Sequence, residues 1–213
     1  MNIVKTAAAG AAGLVALTVS VLSLGAFAQS GDAGDAAPAA PAPQSSYTQT
    51  AVFAGGCFWC VESDLEKLDG VGDVVSGYAG GASQDPTYRN HKGHLEVVRA
   101  PFDPDVISYR ELVDYFLRHI DPLDGGGQFC DRGYSYTTAI FYQNADQYED
   151  ARAAKAAAEA ELGEPLVTPV RELDRFWIAE DYHQDYYKKN PLRYKLYRTS
   201  CGRDRRVAQV WGK

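Results

Sequence analysis

The 213-residue chain has no surplus of positive charge: 21 Lys and Arg stand against 28 Asp and Glu, a net charge of −7. That removes the electrostatic basis for gripping nucleic acid or an anionic membrane surface. No internal repeat is visible. Cysteine is scarce, at positions 57, 60, 130 and 201 only. A domain of this length hardly needs staples, and Cys57 and Cys60 are too close in sequence to close a useful loop. The set therefore reads as redox chemistry, with room for one structural bridge between Cys130 and Cys201.

The one long apolar run is N-terminal. Lys5, an Ala/Leu/Val stretch and Ala26-Phe27-Ala28 have the form of a signal peptide over residues 1–28, cleaved before Gln29. This predicts a periplasmic or secreted protein; an uncleaved, membrane-anchoring leader is the alternative. Residues 29–46, built of Gly, Ser, Ala and Pro, read as a disordered spacer. Residues 47–213 then form a single domain with an adequate core.

Periodicity places a strand at 50–54, a helix over 57–68, strands at 74–78 and 95–99, and a helix over Tyr109–His119 behind the Ser108/Glu111 capping box. A loop over 121–133 leads to a strand at 136–142. Asn144 opens a helix over 145–161, which stops before Pro165, and an edge strand follows at 167–170. The order β-α-β-β-α-β predicts an α+β protein, a ferredoxin-like two-layer sandwich with a mixed sheet and an irregular tail.

The most informative stretch is Gly55-Gly56-Cys57-Phe58-Trp59-Cys60. Two glycines end a strand, and Cys57 falls where a helix begins, with Phe58, Val61, Leu65 and Leu68 as its apolar stripe. Backbone N–H groups at such a helix start favour thiolate over thiol, which makes Cys57 a candidate nucleophile.

Gly56-Cys57-Phe58-Trp59, Gly77-Tyr78-Ala79-Gly80-Gly81, Gly93-His94-Leu95-Glu96-Val97 and Ala179-Glu180-Asp181-Tyr182-His183-Gln184 together resemble the A-class peptide methionine sulfoxide reductases. The resemblance runs from Thr50 to Tyr194. It implies that Cys57 attacks the sulfoxide sulfur, leaving methionine and a cysteine sulfenic acid. It makes Glu96 the donor to the sulfoxide oxygen, a role that needs its pKa raised by an apolar site. Tyr78 and Tyr136 would bind the same oxygen, Phe58 and Trp59 would line the pocket for the substrate methyl, and Asp131 would orient substrate or loop. His183 is read as structural. The resemblance further implies consumption of the S epimer only, no bound cofactor, and electrons from thioredoxin or a periplasmic thiol–disulfide partner. Oxidised proteins or free methionine sulfoxide would be the substrates of a monomeric enzyme.

The chain departs from that family's pattern at the thiols. Cys60 stands where glycine is usual, Cys130 where asparagine is usual, and Lys195 where a recycling cysteine is frequent. Cys60, Cys201 and Cys130 are thus all candidates to resolve the sulfenic acid. Cys60 is favoured because it lies one helical turn from Cys57. Two other readings compete. A thioredoxin-like oxidoreductase would use the same Cys57/Cys60 pair, and a zinc module would use Cys57, Cys60, His91 and His94.

Overall fold

The computed structural model describes residues 47–212. The leader, its cleavage point and the Ala/Pro spacer expected from the sequence all lie outside the described residues. The strands are β1 (Gln49–Gly55), β2 (Val75–Ala79), β3 (Leu95–Phe102), β4 (Gly127–Gln128), β5 (Asp131–Arg132), β6 (Thr138–Tyr142), β7 (Val170–Glu172) and β8 (Phe176–Ile178). The helices are α1 (Phe58–Leu65), α2 (Tyr109–Leu117), α3 (Ala145–Leu162), α4 (Tyr186–Lys189), α5 (Pro191–Ser200) and α6 (Arg203–Trp211).

The architecture is α+β, built on a curled mixed sheet in the order β7-β6-β1-β3-β2-β8. Every pairing is antiparallel except β6 with β7. β1 is buried on both faces, which explains its unbroken apolar run. Ala51 and Phe53 join Val98, Ile140, Leu112 and Phe116 in the core under the helices, while Val52 and Ala54 meet Val97, Ala139 and Phe141 on the other face. Phe53 stacks on Phe116 with ring centroids 4.6 Å apart, so the central strand is tied to α2. The buried apolar side chains are mainly Phe, Leu, Ile, Val, Ala and Tyr, with Trp211 and the two free cysteines; the chain's one methionine is Met1.

Several element boundaries differ from those expected. α1 stops at Leu65 because the chain turns at Gly70, where φ is +84°, and the Glu66 carboxylate accepts from the Val74 N–H at 2.8 Å. β3 runs on to Phe102, since Gln49 and Thr50 extend the pairing opposite Phe102 and Pro101. The loop at 121–133 contains the small β4–β5 hairpin. β6 begins at Thr138, because Tyr134–Tyr136 form a 3₁₀ turn. The last parallel strand lies beyond Pro169, whose carbonyl accepts from Ile140. β8 has no counterpart among the expected strands. The tail is three helices, α5 opening on Pro191 at its first turn. The Ser108/Glu111 capping box and the Asn144 cap are formed as their sequences predict.

Candidate active site

β1 hands the chain to α1 through Gly55 and Gly56. Gly56 has φ +80°, and a Cβ there would lie 2.5 Å from Cβ of Gln128, so only glycine makes this turn. The turn delivers Cys57 as the N-cap residue of α1, with its carbonyl accepting from the Cys60 N–H at 3.1 Å. Both thiols are free and buried, 6% and 2% exposed.

β3 places Glu96 opposite Tyr78 of β2, on the face that carries Val98 toward the helices. Glu96 is 1% exposed and accepts from the Phe58 N–H at 3.1 Å, so it does not face solvent. Burial pushes its carboxyl up to about 8 against the pull of that hydrogen bond, with Asp131 and Cys60 adding to the rise. At neutral pH Glu96 therefore holds a proton that it can give.

A cavity of about 80 Å³ is lined by Cys57, Phe58, Trp59, Tyr88, Glu96, Asp131, Tyr136 and Tyr197. The sequence singled out all of these but Tyr88 and Tyr197. The Tyr136 hydroxyl donates to that of Tyr88. The Tyr197 hydroxyl donates to Asp131 and also approaches the Cys57 sulfur. Burial raises the Asp131 carboxyl even though Tyr197 and Arg203 counter it. A larger cleft of about 420 Å³ beside Thr50, Ser108 and Asp150 has no thiol in its lining.

Tyr78 does not line the small cavity. Its ring lies beside Phe58, centroids 6.0 Å apart, while its hydroxyl donates to Glu180 Oε2 at 2.9 Å. The other Glu180 oxygen accepts from the Tyr88 N–H at 2.9 Å, so Glu180 fastens the Tyr88 loop to the C-terminal segment. The Trp59 indole stacks on Tyr186 at 3.7 Å and donates to His183 Nδ1 at 3.1 Å. This fixes His183 as the Nε2–H tautomer, in a supporting position behind Phe58 and Trp59.

The helix start does not by itself make Cys57 a thiolate. Burial pushes its thiol well up, and Cys60 and Glu96 push the same way. Cys60 is pulled down to about 7, first by the hydrogen bond from Cys57 and then, against burial, by Arg203 and Arg198. Of the two thiols, Cys60 is thus the more acidic and Cys57 the one that holds its proton more firmly. An N-cap site that is also dry costs the thiolate more in lost hydration than a one-turn dipole returns.

Cys130 and Cys201 are bonded to each other, Cα atoms 4.9 Å apart, next to the site through Asp131. The zinc set does not assemble among the described residues. The side-chain groups close enough to share an ion are Cys130, Asp131 and Cys201, already tied by the disulfide, and Glu62, Glu66 and Asp185. His91 and His94 instead bond Thr87 and Ser83.

Comparison with known proteins agrees with the chemistry of this cavity. The family described as peptide methionine sulfoxide reductase matches residues 49–213. The peptide methionine sulfoxide reductase MsrA 2 of Rhizobium meliloti (strain 1021) is 59% identical over 166 residues, 77% of this chain and 84% of the relative. The MsrA of Bacillus subtilis (strain 168) is 46% identical over 175 residues, 79% of this chain and 98% of the relative. Among solved structures, methionine sulfoxide reductase A of Corynebacterium diphtheriae superposes with a TM-score of 0.63 at 29% identity, covering 68% of this chain and 78% of that one.

Proposed function

Since the chain belongs to the peptide methionine sulfoxide reductase family, we propose that the Cys57 cavity reduces the S epimer of methionine sulfoxide in oxidised proteins or as the free amino acid. The observation that carries this is the meeting, in one cavity of about 80 Å³, of the Cys57 thiol and a buried carboxyl that is neutral at pH 7. Phe58 and Trp59 supply its apolar wall. Tyr136, Tyr88 and Tyr197 supply hydroxyls, of which Tyr136 is the nearest match to an oxygen-binding phenol read from the sequence.

The steps balance with the two thiols and the Glu96 proton. Cys57 passes its proton to Cys60 and attacks the sulfoxide sulfur, forming a sulfur–sulfur bond, while Glu96 gives a proton to the oxygen. That oxygen then passes to the Cys57 sulfur: the substrate's sulfur–oxygen bond and the new sulfur–sulfur bond break, methionine leaves, and Cys57 is left as a sulfenic acid. Cys60, deprotonated again, then attacks the Cys57 sulfur; a disulfide forms and the oxygen leaves as water once protonated. A thioredoxin-like dithiol takes up the role of reductant, returning both cysteines to thiols with no bound cofactor.

Cys60 is the resolver in this reading, because Cys130 and Cys201 are already joined and Cys60 hydrogen-bonds to Cys57. The Asp131 carboxyl positions Tyr197, and Tyr78 acts through Glu180. The leader-like first 28 residues support action on exported proteins. The antiparallel order β6-β1-β3-β2 supports reading the centre of the sheet as ferredoxin-like.

The deciding experiment is a single turnover without added reductant. Wild-type protein should convert one equivalent of the S epimer and leave the R epimer untouched; Cys57→Ser should convert neither. Near-normal conversion by Cys57→Ser, or equal use of both epimers, would refute the reading.

A further inference from the structure

A buried arginine stands behind the thiol pair, and none of the steps above uses it. Arg203 opens α6 and is 2% exposed. Its Nη1 donates to the Gly55 carbonyl at 3.1 Å, just before the turn that delivers Cys57, and its Nη2 donates to the His119 carbonyl at 2.9 Å. The guanidinium lies 4.7 Å over the Phe129 ring. Its Nε is buried with no hydrogen-bond partner, 3.7 Å from Asp64 Oδ2.

A cation taken out of water needs an anion close by. Asp64 is the carboxylate here, but it is shared: Arg198 and Lys67 each approach it to 2.9 Å. Burial works against its charge, and Arg203, Arg198 and Lys67 together hold the carboxyl below its ordinary value. Arg198 is paired a second time, with Asp204 at 2.5 Å, so Arg203 is the guanidinium here that no carboxylate meets at hydrogen-bond distance.

We propose that Arg203 is a positioning residue for the resolving step: its guanidinium is the counter-charge that keeps Cys60 ready as a thiolate, and the Cys130–Cys201 disulfide holds the guanidinium in place. The inference rests on Cys60 being the resolver. The part played by the disulfide follows from chain order. Cys201 is followed by Gly202, at φ +68°, and then by Arg203; Cys130 is preceded by Phe129, at φ +55°. The bond thus ties the segment that carries the guanidinium to the ring beneath it. Chain left free at both places would let the cation swing toward water, where it is better solvated.

The groups that face Cys60 are the Cys57 thiol, the Asp64 and Glu96 carboxyls, the Tyr194 and Tyr197 phenols, and the guanidiniums of Arg198 and Arg203. Glu96 is neutral at pH 7 and the phenols are neutral, which leaves Asp64 beside the two guanidiniums, with Arg198 further paired to Asp204 and Arg203 sharing Asp64 alone. In the step itself the Cys60 thiolate donates its electron pair to the Cys57 sulfur, and the sulfur–oxygen bond breaks as the disulfide forms. The two cysteines are oxidised together by two electrons, which the sulfoxide has already received, and the oxygen leaves as hydroxide and takes up a proton.

The test reads Cys60 directly and needs no turnover. In a Cys57→Ser background with the disulfide intact, Cys60 is the one titrating thiol, and its thiolate absorbance in the ultraviolet gives its midpoint. Arg203→Gln should raise that midpoint by about one pH unit, so that thiolate at pH 7 falls by up to about tenfold. Arg203→Lys, which keeps the charge, should recover most of it. A Cys130→Ser/Cys201→Ser double variant, with Arg203 retained, should shift the midpoint the same way by less. An unmoved midpoint in folded Arg203→Gln overturns the role of Arg203, as does equal loss in the glutamine and lysine variants. An unmoved midpoint in the double variant overturns the clamp, and if Arg203→Gln does not fold, that result overturns the proposal as stated. Should Cys60→Ser enzyme recycle normally, Cys60 is not the resolver, an outcome separate from any of these.

Discussion

Replacing Glu96 by glutamine should harm the chemistry and, in alkaline solution, stabilise the fold. The carboxyl moves from an ordinary value of 4.5 to about 8 in the folded chain, because burial penalises its charge. A raised folded value means that folding favours the protonated form. The contribution is complete below 4.5 and is lost progressively as the pH rises through 8. Over that window the wild type loses roughly 1.4 kcal/mol per pH unit, on the order of 5 kcal/mol in all. The glutamine of the variant has no proton to lose, and it keeps an oxygen for the Phe58 N–H. Glu62, which burial raises to about 7, titrates in the same window but is present in both proteins and cancels from the difference. Urea unfolding of the two proteins at mildly acid and at alkaline pH measures the effect. The variant should gain about 4 kcal/mol on the wild type between the two conditions. Its first-turnover rate should fall on the order of 10²–10⁴-fold, with the alkaline limb of the wild-type profile near the Glu96 midpoint abolished. A stability difference that does not change with pH, or an alkaline limb that persists in Glu96→Gln, would show that Glu96 is not the buried acid described here.

Cys60→Ser should release at most one methionine per enzyme, more slowly than wild type because the proton acceptor for the Cys57 thiol is gone, and then stall with a dithiol reductant, whereas Cys201→Ser should continue at the wild-type first-turnover rate; rapid-quench methionine counts distinguish the two. Tyr136→Phe should slow the reductive step about tenfold or more. Tyr78→Phe should leave the step nearly unchanged and cost about 1 kcal/mol of stability, the hydrogen bond to Glu180; equal kinetic losses would contradict the placement of the two hydroxyls. Gly55→Ala should destabilise by about 1–3 kcal/mol in thermal unfolding, since its Cβ would lie 2.8 Å from Val61 and 2.9 Å from Phe116.

What the sequence made legible was what short-range chemistry decides. Ser108 with Glu111, Asn144 before an alanine-rich run and Gly163 after it announce helix ends because the caps are made by those residues themselves. β8 carries no such mark. Phe176, Trp177 and Ile178 become a strand by pairing with Tyr78 and its neighbours, about a hundred residues away. The hairpin at Gly127–Arg132 is fixed in the same way by its setting, under Gly56 and beside the disulfide. Within the site, alternation along β3 made Glu96 look outward because Leu95 and Val97 take one face; it could not reveal that both faces are covered. Tyr88 and Tyr197 were hidden among 14 tyrosines, and their place at the cavity depends on Glu180 and Asp131, which no local pattern joins to them. The direction of the thiol pair was illegible for a similar reason. A helix start is visible in sequence, but the dryness around Cys57 and the guanidinium behind Cys60 come from α5 and α6.

The makeup of the core bears on how the protein fares under the conditions that create its substrate. Peroxide or hypochlorite strong enough to oxidise thioethers turns a core methionine into a polar, bulkier side chain and loosens the packing around it. The described core is filled by Phe, Leu, Ile, Val and Ala, with no thioether among its buried residues. Such a protein cannot accumulate internally the lesion it removes, and no side chain of its own folded domain competes for its cavity. Among the described residues, the sulfurs outside the disulfide are those of Cys57 and Cys60, both buried.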